Sequence, residues 1–194
     1  MTHQTEGLRV KRTRKLLREA LIDLIEERGF EALTVGEITA RALVSRAAFY
    51  RNYQDKYDLV EQIFDEAMQT LLAAVGQLSP DRPPEVWVNF FEHIAAYERL
   101  YRALLGKKGS PWFAQKMRAA LAEMVKTHEN TPNRQHNITP AMLADGFLPA
   151  MLSALFVNII TWWLEQGRPY TPRQVAARCS DLALAITTTA STWQ

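Results

Sequence analysis

Apolar residues recur along this chain at helical spacing, with no run of strand-like alternation. From Leu16 onward the pairs Leu16/Leu17, Ala20/Leu21 and Leu24/Ile25 return every four residues, which marks one stripe of a helix that Gly29 ends. Thr34-Val35-Gly36-Glu37 has the form of a capping box: the threonine oxygen accepts from the Glu37 amide while the carboxylate reaches back. Leu33 and Ile38 supply the accompanying hydrophobic staple. A second helix therefore starts at Thr34, and it is short, because Ser45 offers a new N-cap eleven positions later. Asp55 then caps a long helix that runs to about Leu78, with Leu59, Ile63, Phe64, Ala67, Leu71 and Leu72 on a single face. Ser79-Pro80-Asp81-Arg82-Pro83-Pro84 breaks it, and Trp87, Phe90, Phe91, Ile94 and Ala95 begin another stripe.

Three further starts share one chemistry. Ser110-Pro111, Thr139-Pro140 and Thr171-Pro172 each set a hydroxyl N-cap before a proline at the first helical position, where no amide is needed. Thr171 also has Gln174 at capping-box spacing. Glu129 to Asn137 reads as a polar loop, and Gly167-Arg168 is a stop ahead of Pro169. The pattern predicts an all-α chain of about nine helices.

Composition adds bounds. A chain of 194 residues with 47% hydrophobic and 23% charged residues is an ordinary globular protein with room for a small module and a larger body. The only cysteine, Cys179, excludes an internal disulfide and sits in a helical pattern, which fits a reducing compartment. The N-terminal residues are basic without the apolar stretch of a secretory signal, so the expected location is the cytoplasm. Gly146 to Leu164 is uncharged and long enough to span a bilayer. It holds Pro149, Ser153 and Asn158 and is flanked by Asp145 and Glu165, so it reads instead as a helix buried between others, with no membrane.

The net charge of +2 is unevenly spread: through Lys56 there are eleven Lys/Arg against eight Asp/Glu, and the excess is lost beyond. That basic end contains a supporting helix, a short helix, a turn and a second short helix, Ser45 to Tyr53, which is the order of a helix-turn-helix. Phe49 and Tyr53, four apart, pack inward with Ile38, Leu43 and Val44, leaving Arg46, Ala47, Tyr50, Arg51 and Asn52 on or near the exposed side. Arg46 can take guanine O6 and N7 together and is the first candidate for reading a base, with Asn52 second. Ala47 and Ala48 allow close backbone approach. At the start of the long helix Lys56 joins free amides in an anion site, and Thr34 adds a contact of the same kind. Arg9, Lys11, Arg12, Arg14 and Lys15 form a basic arm that opposes its helix dipole, a cost that a nearby polyanion offsets; the arm is expected to track the DNA backbone or minor groove.

The run from Phe30 to Phe64, with its "LT…I…A…VS…FY…K…L" pattern, resembles the tetracycline-repressor (TetR) family signature over roughly residues 10 to 64. The resemblance implies a DNA-binding domain at 1–56, an effector-binding and dimerisation domain at 57–194, a double-stranded operator as partner, and phosphate contacts from Tyr50 and Lys56. Two positions depart from the pattern. Leu43 stands where the family usually has the glycine of the turn, implying an ordinary right-handed turn, and Ala48 stands where a phosphate-binding threonine or serine is common. The later segments resemble the C-terminal region of dihydroxyacetone-kinase operon regulators, which makes a protein partner an alternative to a small hydrophobic effector.

The family's homodimer, formed by the last two helices, implies an interface of Met151, Leu155, Ile159, Trp162, Trp163, Leu182, Leu184 and Ile186, and a palindromic operator. An effector pocket would be lined by Met68, Phe90, Tyr97, Trp112, Phe113 and Phe147. No phosphate loop, zinc-protease histidine pair or nucleophile elbow is present, so neither an enzyme nor a cofactor is expected. His128, Glu129 and His136 share a loop but lack the ligand set of a metal site.

Overall fold

The computed structural model describes residues 2–75, 83, 85–127 and 146–192. The described residues form nine helices and no strand: α1 (Thr2–Arg28), α2 (Val35–Arg41), α3 (Arg46–Tyr50), α4 (Lys56–Val75), α5 (Glu85–Ala96), α6 (Glu98–Leu105), α7 (Pro111–Thr127), α8 (Phe147–Glu165) and α9 (Pro172–Ala190). The far end expected for α4, the Thr139-Pro140 start and the loop with His128, Glu129 and His136 lie outside the described residues.

The chain divides into two compact units, one of residues 1–66 with 103–110, the other of 67–102 with 111–194. The first thus continues past Lys56 into α4. Its core is Leu17, Leu21 and Ile25 of α1 with Phe30, Ile38, Phe49, Leu59 and Val60, all fully buried. Each such side chain contributes about 1.5–3 kcal/mol by leaving water. Gly29 ends α1 at φ +84, in the left-handed region open to glycine, and a Cβ there would lie 3.1 Å from the Lys108 carbonyl. The α6–α7 loop closes this end of α1. Lys108 Nζ donates to the carbonyls of Glu26 and Glu27, the Phe30 amide donates to the Lys108 carbonyl, and Ser110 Oγ donates to Glu31 at 2.7 Å. A cation on the last carbonyls of a helix complements its negative end.

Two expectations are corrected here. The basic residues at 9–15 are not an arm entering a helix: α1 already includes them, so they lie on helical turns beyond the first, where the dipole cost no longer applies. Leu43 does not pack inward in a right-handed turn; its φ is +53 and it is 94% exposed. The turn keeps the left-handed geometry that glycine would take freely, so the chain path prevails over the local preference of leucine.

In the second unit α7 packs on α8, and α9 on α5. Phe91 meets Trp163 edge-on at 5.5 Å, and the Trp163 Nε1 proton reaches the Tyr170 carbonyl at 2.8 Å. Ion pairs Arg168–Glu98 and Arg173–Glu85 tie the ends of these helices. Thr171 and Gln174 form the capping box at the start of α9, with Pro172 in its first turn. Helix α8 passes for a membrane span by length and composition, yet half of its apolar window is buried inside the protein. Cys179 is buried, and burial pushes its thiol up to about 12, far from a reactive thiolate.

Candidate nucleic-acid interface

Helix α3 exists because both ends are closed locally and one side is anchored. Ser45 Oγ accepts from the Ala48 amide at 3.1 Å, and Phe49, fully buried, stands edge-on to Tyr50 and tilted against Tyr53. One helical face is thus committed to the core, and Arg46, Ala47, Tyr50 and Arg51 are left exposed, Tyr50 by 58%. Ala48 is half-buried beneath them. The Arg46 guanidinium lies across Gly36 at the start of α2, with Nη2 only 2.6 Å from where a Cβ would be. Glycine at 36 therefore leaves the space that this fork occupies. On α1, Lys11, Arg12 and Arg14 are exposed.

Three predicted contacts are placed otherwise. Lys56 is nearly buried, and its ammonium donates to the carbonyls of Phe30, Glu31 and Leu33 at 2.9–3.0 Å, one proton each. It also lies over the rings of Phe30 and Tyr57. Burial lowers its pKa, with Glu31, Asp55 and Glu37 pulling the other way. All its donors are spent on the loop between α1 and α2, so the side chain is a structural clamp and not an anion site. The first amides of α4 are also engaged, since Asp55 Oδ1 accepts from Tyr57 and Asp58.

Thr34 is the second case. Its hydroxyl and its amide both donate to Glu37 Oε2 at 2.9 Å, while the hydroxyl oxygen accepts from the Glu37 amide. These bonds hold the Glu37 carboxyl below its usual range, with Arg28 adding an ion pair at 2.9 Å. Thr34 thus serves as the cap, beside an anion rather than toward one. The third is Asn52, which lies beyond the end of α3 and is half-buried. Its Oδ1 accepts from Arg14 Nε at 3.3 Å and its Nδ2 donates to the Ala48 carbonyl at 2.8 Å, so each end of the amide has a partner within the protein.

The residues named for a pocket differ in burial. Met68, Phe90 and Phe113 are core residues, Tyr97 and Trp112 are half-buried, and Phe147 is 56% exposed at the start of α8. A polar pair that the periodicity conceals sits among them: His93 Nε2 lies 3.1 Å from the buried Tyr101 hydroxyl and stacks on Tyr97 at 4.6 Å. Burial drives the imidazole down to about 4, leaving it neutral at pH 7, and pushes the Tyr101 hydroxyl far up. His93 falls on the apolar stripe of α5, where a single histidine is not distinguished from a core residue. Of the residues expected at an interface, Met151, Leu155, Ile159, Leu184 and Ile186 are half-buried, and Trp162 and Leu182 are 46% and 44% exposed. Trp163 is fully buried inside its own subunit and is removed from that set.

Comparison with known proteins accords with this geometry. Residues 17–63 match the family described as bacterial regulatory proteins, tetR family, and residues 81–184 match a transcriptional regulator C-terminal region. The uncharacterised HTH-type transcriptional regulator YxbF of Bacillus subtilis (strain 168) is 33% identical over 55 residues, a match spanning 28% of this chain and 14% of that protein. Among solved structures, a TetR transcriptional regulator from Streptococcus agalactiae 2603V shares the fold with a TM-score of 0.60 at 20% identity, over 94% of this chain and 99% of that one. The dihydroxyacetone kinase operon activator DhaS does so with a TM-score of 0.57 at 15% identity, over 91% and 97%. With a three-helix DNA-binding arrangement at one end and a matched regulator region over more than half its length, the chain belongs to the tetR family of bacterial regulatory proteins.

Proposed function

We propose that this protein is a cytoplasmic, sequence-specific DNA-binding repressor that grips a palindromic operator as a homodimer and is released by a small hydrophobic effector. Residues 1–56 make the DNA contacts, and residues 57–194 carry the effector and dimer surfaces. The observation that carries the reading is the braced face of α3, where buried Phe49 fixes the helix and Arg46, Ala47, Tyr50 and Arg51 stand exposed together. Arg46 reads a guanine from the major groove, Ala47 lets the helix approach, Tyr50 and Arg51 reach phosphates or bases beside it, and Ser45 holds the helix start.

The N-terminal turns of α1 lie along the phosphate backbone. A helix is about 10–12 Å across and the minor groove about 6 Å wide, so Lys11, Arg12 and Arg14 supply sequence-independent attraction.

Selection of bound sequences from random duplexes tests the reading: a palindrome is expected, and Arg46→Ala is expected to relax one base pair in each half-site at about 1–3 kcal/mol. Failure of the purified protein to enrich any sequence would sink it. The fold is shared with a protein described as an operon activator, and the alternative is a coactivator that acts through a protein partner without a small-molecule inducer. In that case enrichment appears only when cell extract is added.

A further inference from the structure

We infer that Asn52 is a positioning residue, which holds Arg14 as a ready-made phosphate clamp at the end of the recognition helix and reads no base itself. The inference rests on the DNA-binding reading above and assigns roles within that site. Asn52 follows α3 and touches three helices. Its Nδ2 donates to the Ala48 carbonyl of α3, its Oδ1 accepts from Arg14 Nε of α1, and its backbone carbonyl accepts from Gln62 Nε2 of α4 at 3.1 Å. Gln62 is itself held by Asp58, which also accepts from the Gln54 amide. The amide keeps one lone pair and one N–H beyond these bonds. It lies past the end of α3, however, half-buried and off the face that Arg46, Ala47, Tyr50 and Arg51 present, and turning it toward adenine would disturb the joint that aims α3.

Arg14 gains what Asn52 loses. With Nε engaged and the guanidinium carbon 5.9 Å from the Tyr53 ring centroid, the exposed side chain is tethered at its inner edge. Its two terminal nitrogens carry the remaining N–H groups, a fork of the kind that takes a phosphate. Arg14 stands on the flank of α3 rather than on its exposed face, where a backbone passes when the helix enters a groove about 12 Å wide. A tethered fork loses less freedom on binding than a loose one.

The test is a set of operator titrations against salt, using the sequence that wild-type protein selects. Arg14→Ala and Asn52→Ala are each expected to lower the magnitude of the log–log salt slope by about 0.9 and to leave the selected sequence unchanged. The double variant is expected to lose no more than either single one. Because Asn52→Ala also weakens the joint to Ala48, Asn52→Asp provides a second reading: it keeps the acceptor for Nε, so adding Arg14→Ala to it still removes a slope step, whereas adding Arg14→Ala to Asn52→Ala removes none. A relaxed base preference in Asn52→Ala, or two independent slope losses in the double variant, overturns the assignment while leaving the DNA-binding reading intact. If wild-type protein selects no sequence, both fall together.

Discussion

At the scale of single residues, the informative positions are those whose local preference is overruled. Leu43 holds φ at +53 with its side chain in solvent, so it has neither the conformational freedom of glycine nor burial to compensate. Leu43→Gly is therefore expected to raise stability by about 0.5–1 kcal/mol, read from the denaturant midpoint; a lower midpoint would show that the leucine contributes something not visible in its exposure. Lys56 presents the opposite case. Lys56→Met keeps the stem but strips three carbonyls of their donor, and a loss of about 3 kcal/mol from the N-terminal unit is expected. If that variant unfolded like wild type and lost only salt-dependent DNA affinity, the clamp would be refuted in favour of a phosphate contact. The contrast explains what the sequence discloses. Thr34, Ser45 and Thr171 each cap through a bond to a residue three positions on, so their roles are legible in a short window. The partners of Lys56 lie 23 to 26 positions away and the Arg14 partner of Asn52 lies 38 away, distances only the fold can close.

For the elements, periodicity locates helices better than it orients or ends them. The start of α1 is not legible in the sequence because its polar first half, with Gly7 in it, has no apolar stripe. Helix α8 carries apolar residues on nearly all sides, so neighbouring Trp162 and Trp163 look alike in sequence. Only Trp163 is fully buried, edge-on to Phe91 with its Nε1 proton on the Tyr170 carbonyl, while Trp162 stays 46% exposed beside the Tyr170 ring. The joint between α5 and α6 holds a polar pair whose behaviour depends on pH. His93 is held neutral by burial, with a folded pKa of about 4 against 6.5 for the free side chain. The unfolded chain therefore binds the proton more readily, so the stability due to this site is complete above pH 6.5 and drains away as the pH falls toward 4. Thermal melts from pH 7 to 4 are expected to show a declining Tm in wild type and a shallower decline in His93→Gln. Parallel declines would place the acid-labile group elsewhere.

On the scale of the whole molecule, we propose that a second copy covers the apolar residues that α8 leaves partly exposed. Met151, Leu155, Ile159 and Trp162 recur at three- and four-residue steps along α8 and are only partly covered, and Leu182 and Ile186 of α9 are in the same condition. A two-fold axis would bring each such stripe against its own copy, burying it without any further partner, and a two-fold regulator calls for a palindromic operator. The two adjacent tryptophans separate this proposal from simple core packing. Trp163→Ala is expected to cost about 3–5 kcal/mol, because it opens a cavity within one subunit. Trp162→Glu gives up a ring contact with Tyr170 but opens no interior cavity, and it places a charge on the proposed shared stripe. It is therefore expected to yield a folded monomer whose grip on a palindromic operator is greatly weakened and whose grip on a half-site is unchanged. Mass measurement at micromolar concentration decides the matter: wild type running as a monomer, or Trp162→Glu remaining a dimer, removes this face of α8 from the assembly.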